Sequence, residues 1–191
     1  MKKIIAMVLL LCLLGSLTAC KKPDTNNPMH EVKDDRVTVE DSKKTFDYLG
    51  VSVSAPEKWT VMETNADSVY SYYFRDPKLG EDCQFTLSIT GSKFLEKRTE
   101  AEYLEYLSGM DGYENVKINS FTEEKLGGFG CTKIAFTYSK NDTEYVQVDY
   151  QNILIGVRLY SCSIVYPAEK KDTCQSVLEE IVNSVEFNPN V

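Results

Sequence analysis

Ile153-Leu154-Ile155-Gly156-Val157-Arg158-Leu159-Tyr160-Ser161-Cys162-Ser163-Ile164-Val165-Tyr166 is a long apolar run with little polar alternation, the pattern of a buried strand that Pro167 brings to an end. Two alternating segments precede it, residues 131–138 and 145–150, joined by Lys140-Asn141-Asp142-Thr143, which carries the residue types of a hairpin turn. Together the three predict an antiparallel meander. After Pro167, Asp172 with Gln175 marks a helix start, and Cys174, Val177, Leu178, Ile181 and Val185 recur on one face of that helix, which therefore packs on the sheet. Val185-Glu186-Phe187 alternates as a short closing strand.

Toward the N-terminus the same period continues. Thr45-Phe46-Asp47-Tyr48 and Val51-Ser52-Val53-Ser54 alternate on either side of a Leu49-Gly50 turn, and strands follow at residues 59–62 and 69–74. In the latter, Tyr70, Tyr72 and Phe74 share one face. Such a stripe is either core or a ligand platform, and the reading taken is core, under a helix laid over the sheet. Phe85, Leu87 and Ile89 alternate with Gln84, Thr86 and Ser88 as another strand. Thr99 and Glu102 form a capping box ahead of Tyr103, Leu104, Leu107 and Met110 at helical spacing. Gly127-Gly128-Phe129-Gly130 lacks the lysine and following helix of a phosphate loop and reads as a turn. Asp142, Glu144 and Asp149 lack calcium-loop spacing and read as solvated charge near the hairpin.

The chain opens with Lys2 and Lys3, an apolar run over residues 4–14, and Leu17-Thr18-Ala19-Cys20. That is the layout of a secretory leader, with a run too short for the ~20 residues of a span. It resembles a bacterial lipoprotein signal peptide, which implies diacylglycerol on Cys20 and cleavage before it. The expected organisation is a signal peptide over residues 1–19, a lipidated Cys20 with a polar flexible tether through residue 43, and a single domain over 44–191 with strands starting near Thr45. Two acyl chains hold a protein on a membrane stably where one does not. The expected location is the extracytoplasmic face of the cell membrane.

Losing Lys2 and Lys3 with the leader takes the formal charge from -8 to -10. Such acidity argues against nucleic acid as a partner, because phosphate contacts need clustered Lys and Arg. Cys83, Cys131, Cys162 and Cys174 remain in the domain, without metal-ligand spacing, and His30, the one histidine, lies far from them in sequence. Outside the cytoplasm four cysteines allow two disulfides in three connectivities, or stay as small buried hydrophobes. Cys162, near the end of the long run, and Cys174, in the first turn of the returning helix, form the expected pair.

Phe46 with Gly50-Val51-Ser52-Val53-Ser54-Ala55-Pro56-Glu57-Lys58-Trp59 resembles the Gly-x-x-x-x-x-Pro-x-x-Trp opening of the PsbP-like superfamily, which includes small bacterial lipoproteins of the DcrB type. The ending resembles it too: Leu159-Tyr160, Pro167, a helix, then Ser184-Val185-Glu186-Phe187 in place of the closing Ser-x-x-Phe. The resemblance implies an α+β fold, a twisted antiparallel β-sheet with helices on both faces (an α/β/α sandwich). Covered faces on both sides would account for the weak alternation in residues 153–166. The histidines and carboxylates tied to metal in photosynthetic members have no matching motif here, so no family site carries over.

The function expected is therefore a non-enzymatic binding or accessory module with a protein partner in the cell envelope, without cofactor, metal or catalytic residues. Residues 75–80 and 126–130 are the candidate partner loops. The alternatives are a carboxylate-dependent hydrolase, since Asp and Glu are abundant, and a small solute-binding receptor.

Overall fold

The computed structural model describes residues 29–66 and 68–190; the segment expected to be a leader and Cys20 lie outside them. The described residues fold as mostly antiparallel sheet with two α-helices. The expected three-strand meander forms with shifted bounds, as β9 (Phe129–Lys140), β10 (Thr143–Ile155) and β11 (Arg158–Pro167), and β8 (Glu114–Leu126) extends it by pairing with β9. Asn141 and Asp142 take left-handed φ values of 49° and 61°, the backbone that a two-residue hairpin needs to match strand twist. The run over residues 153–166 is not one strand. Gly156 turns at φ 58°, Val157 is 75% exposed, and Ile155 pairs with Arg158, so the apolar residues divide between β10 and β11.

Beyond β11 the sheet continues through β7 (Gln84–Gly91), β6 (Val69–Arg75), β5 (Thr60–Ala66) and β1 (His30–Glu31), eight strands among the described residues. A second sheet of four strands was not foreseen. It comprises β2 (Val37–Glu40), β3 (Lys43–Tyr48), β4 (Val51–Pro56) and the closing β12 (Glu186–Phe187), in the order β12-β4-β3-β2. The aromatic stripe of β6 is core, but a strand covers it where a helix was expected. Phe46 of β3 lies 4.5 Å from the Tyr72 ring and 5.8 Å from Phe74, and Tyr48 lies 6.0 Å from Tyr70.

The chain expected as tether up to residue 43 also carries structure from His30 onward. Arg36 fastens it. Its Nη2 sits 2.7 Å from Asp34 and 2.8 Å from Glu63 of β5, and its guanidinium lies 5.1 Å from the centre of the Tyr48 ring. The guanidinium holds the Asp34 carboxyl down at a pKa of about 2. Lys44 adds a tie to the carbonyl of Trp59, itself buried.

The helices join different apolar clusters. In α1 (Glu100–Ser108), Tyr103 and Leu107 pack with Ile134, Phe136 and Val165; in α2 (Lys171–Asn183), Leu178, Ile181 and Val182 pack with Phe85, Ile164 and Val53. Val165 therefore serves one cluster while Ile164 and Tyr166 on either side serve the other, as strand alternation requires. The α1 capping box forms, with Glu102 N donating to Thr99 Oγ1 and Thr99 N to Glu102 Oε2. Asp172 caps nothing: α2 begins one residue earlier, and Thr173 Oγ1 donates to the Lys170 carbonyl at its start.

The ends of the domain lock together at Ser184, whose hydroxyl accepts from Ser54 N and donates to the Ser54 carbonyl, each at 2.9 Å. Phe187 then packs on Tyr160 and Phe129. The 126–130 turn, a candidate partner loop from sequence, is partly committed to this contact. A Cβ on Gly127, at φ 54°, would fall 2.7 Å from Phe187 Cδ2 and 2.9 Å from the Val185 carbonyl, whereas one on Gly128, at φ 87°, meets nothing within 4 Å. Gly128→Ala should therefore cost only the left-handed backbone, about 1 kcal/mol, and Gly127→Ala about 2–3 kcal/mol or more because β12 must also shift. Urea unfolding of the two variants checks this, and equal losses would remove the packing role of Gly127.

Candidate functional site

One face of the long sheet is polar and yet covered. Strand alternation sends Phe85, Leu87 and Ile89 to the core, which turns Gln84, Thr86, Ser88 and Thr90 to the other side. Antiparallel register lines these up with like residues: Ser71, Ser88 and Ser161 form one row across β6, β7 and β11, and Thr86, Ser163 and Asp149 another across β7, β11 and β10. Gln84, Thr86, Ser88, Ser163 and Asp149 are all buried. Polar groups in that setting need partners, and several have them. Ser71 and Ser88 hydroxyls lie 3.3 Å apart, and Arg75 Nε donates to Gln84 Oε1 at 2.8 Å.

Asp149 anchors the network. The Tyr103 hydroxyl donates to its Oδ2 at 2.6 Å and Gln147 Nε2 to its Oδ1 at 2.8 Å. Asp149 is completely buried, and burial pushes its pKa up to about 6 against the opposing pull of Tyr103, Gln147 and Gln151. Burial and the adjacent carboxylate push the Tyr103 phenol well above its ordinary value. The expectation that Asp149 is solvated charge beside the hairpin is thus corrected. It sits six residues along β10 from Thr143, bonded to the hydroxyl of Tyr103 from α1.

Next to this network lies a cavity of about 50 Å³, room for a few waters or a small polar group. Ser88, Thr90, Ser161 and Gln151 line it from the sheet; Phe94, Tyr103, Phe121 and Leu159 give it apolar walls; Glu96 and Arg98 stand with them at its edge. A bulge shapes the β10 side. The β10–β11 register shifts between Tyr150 and Ile153, and Asn152 takes φ 66°, so Gln151 and Asn152 both line the cavity although a regular strand would send neighbours to opposite faces. Arg98 donates to Glu96 Oε2 at 2.5 Å and stacks 4.6 Å over Tyr106. Two residues of the lining carry buried polar atoms that make no hydrogen bond of normal geometry, Thr90 Oγ1 and Gln151 Nε2, the latter pulling only on the Asp149 carboxyl, and Ser163 Oγ beside Asp149 is a third nearby.

The residues singled out from sequence lie elsewhere. Cys20 is outside the described residues. Cys162 and Cys174 are buried free thiols that do not bond to each other: the start of α2 sets Cys174 against Cys83, ahead of β7, and mid-strand Cys162 has Cys131 as its neighbouring thiol. Burial raises the Cys131 thiol to about 11. His30 is exposed, 3.6 Å from Glu63. Thr90, Asp149 and Gln151 were not identified as a site; the alternation of Gln147, Asp149 and Gln151 with Val146, Val148 and Tyr150 was the signal that could have suggested one.

No protein-family model matches the chain, and no curated protein does. Solved structures do share its shape. Cyanobacterial PsbP from Synechocystis sp. PCC 6803 superposes with a TM-score of 0.51 at 13% identity, covering 91% of this chain and 99% of its own. LpqN of Mycobacterium tuberculosis, described as involved in cell envelope biogenesis, gives 0.42 at 12% identity, covering 87% and 94%. The immunity protein TplEi of Pseudomonas aeruginosa, solved with a peptide, gives 0.45 at 10% identity, covering 89% and 65%. The superposition on cyanobacterial PsbP, over nearly the full length of both chains, shows that this chain has the PsbP-like fold that its opening and closing motifs imply.

Proposed function

We propose that the protein is an extracytoplasmic lipoprotein, anchored in the cell membrane through diacylglycerol on Cys20, that works as a non-enzymatic binding or accessory module with a partner in the cell envelope. The observation that carries binding is the cavity, where Thr90 Oγ1 and Gln151 Nε2 are buried without a hydrogen bond of normal geometry; an unmet buried donor costs free energy that a ligand can recover. The Asp149 carboxylate is held by Tyr103 and Gln147, an arrangement suited to a structural or tuning role beside a binding site. The layering that fits this reading is α1 over the polar face of the long sheet, and α2 with the four-stranded sheet over the apolar one.

The lipid anchor follows from the Leu17-Thr18-Ala19-Cys20 pattern. Cys20→Ser is expected to leave an unprocessed precursor that takes up no fatty-acid analogue in metabolic labelling. Labelling of the mutant at the level of the original chain would remove the anchor from the reading. The module itself is tested by chemical crosslinking in intact membranes, with Cys20→Ser as the control. One envelope protein should crosslink to the anchored form and be lost with the mutant. A purified chain that turned over a substrate, and lost that turnover on an Asp→Asn or Glu→Gln change without unfolding, would put the hydrolase reading first.

A further inference from the structure

Resting on the binding reading above, we propose that the cavity over β7, β10 and β11 receives a small neutral group with a carbonyl acceptor, of acetamido form, carried on a larger molecule. The unsatisfied atoms define the polarity. Gln151 is 8% exposed, and beyond its pull on the neighbouring Asp149 carboxyl its Nε2 makes no hydrogen bond of normal geometry, so an N–H is left for an incoming oxygen. Thr90 Oγ1, also buried and unpartnered, can donate to the same oxygen or accept an N–H from the ligand.

Charge decides against the ionic alternatives. The positive charge of Arg98 is met by Glu96 at 2.5 Å, so the edge of the cavity is neutral as a pair. An incoming anion would then lie near the Asp149 carboxylate, which Tyr103 holds, with like-charge repulsion and no uncommitted cation at the lining. A cation would meet the N–H groups of Gln151, and the carboxylates within reach are already engaged, Glu96 by Arg98 and Asp149 by Tyr103 and Gln147. A neutral carbonyl satisfies the donors without either cost.

Size and walls complete the assignment. About 50 Å³ admits only a few heavy atoms, so a group and not a whole ligand enters. Phe94, Phe121 and Leu159 supply an apolar wall for a methyl, while the hydroxyls of Ser88, Ser161 and Thr90 can accept an amide N–H. The same acetamido chemistry is found on N-acetylated amino sugars and on acetylated peptide amines, and the fold's side of the contact is alike for both.

Ligand-observed saturation-transfer NMR on the full chain in detergent separates the cases. N-acetylglucosamine and N-acetylglycinamide are the acetamido probes; glucosamine, which lacks the acetyl group, and acetate, its charged isostere, are the controls. Saturation is expected at the acetyl methyl of one or both probes and at neither control. A response from the sugar alone assigns a glycan source, and one from the peptide analogue assigns an acylated peptide. Gln151→Leu and Thr90→Val are each expected to weaken the probe about tenfold, the worth of one hydrogen bond. Thr90→Val is nearly isosteric, so it remains informative if Gln151→Leu does not fold. Binding of acetate as strong as that of the probes, silence from both acetamido probes, or unchanged affinity in a folded Gln151→Leu would overturn the assignment. An envelope partner that still crosslinks in Gln151→Leu would show that the module reading survives without it.

Discussion

Leu178→Ala is expected to lower the unfolding free energy by about 2–5 kcal/mol, a large share of the ~5–15 kcal/mol that holds a domain folded. Leu178 is fully buried on α2, in the cluster that joins the helix to Phe85 and Ile164 of the long sheet and to Val53 of the four-stranded one. Removing its branched end leaves a space bounded by three elements, none of which can close it without moving against the others. Ile181→Ala, also 0% exposed in the same cluster, should behave alike. Leu154, which is 43% exposed near the end of β10, supplies the control: its alanine variant should change stability by no more than about 0.5 kcal/mol. Urea titration of the three variants makes the comparison. A loss at Leu154 as large as that at Leu178 would mean that the buried cluster around α2 is not the one that stabilises the fold.

The features legible in the sequence were local ones. Thr99 with Glu102 named the start of α1 correctly because both halves of a capping box lie within one turn. Asn141-Asp142 named the hairpin because the backbone needed there suits few other residues. Phe46-Asp47-Tyr48 and Val51-Ser52-Val53 read as a hairpin, and they are one. What their spacing did not reveal is that this hairpin leaves the main sheet to pair with Phe187 from the far end of the chain, a choice made by Ser184 on Ser54 and by Phe46 on Tyr72. Cys162 and Cys174 looked like partners because a strand and its returning helix are close in sequence. The helix in fact brings Cys174 to Cys83. The polar face was legible as a face, since Gln84, Thr86 and Ser88 alternate with the core residues of β7, but alternation says nothing of what covers it. The residue that closes over Asp149 is Tyr103, 46 positions earlier on another element.

That distant contact leads to the pH behaviour of the fold. With its pKa raised from 3.8 unfolded to about 6 folded, Asp149 binds its proton more tightly in the native state. Between about pH 4 and 6 the folded chain therefore holds more protons than the unfolded one at this site, and stability falls as pH rises through that window. Below it both states are protonated and the site contributes no slope; above it both are ionised and the loss is complete, on the order of 3 kcal/mol at most. The lowered carboxyls Asp34 and Glu102 act with the opposite sign, contributing stability above their unfolded values that is lost as pH falls through their folded ones, Asp34 down to about pH 2. The difference between the original chain and Asp149→Asn isolates the buried site. Asparagine can still accept from Tyr103, so the variant should unfold at nearly the same urea concentration at pH 4 and should gain relative to the original chain as pH rises to 7. Tyr103→Phe should do the reverse: deleting the 2.6 Å donor removes a bond to a charged acceptor, worth about 1.5–3 kcal/mol, and its cost should be greatest above pH 6, where Asp149 is ionised. Urea midpoints measured from pH 4 to 7 for the three chains test both halves. Parallel curves for all three would mean that Asp149 does not titrate in this range and that Tyr103 matters only as packing.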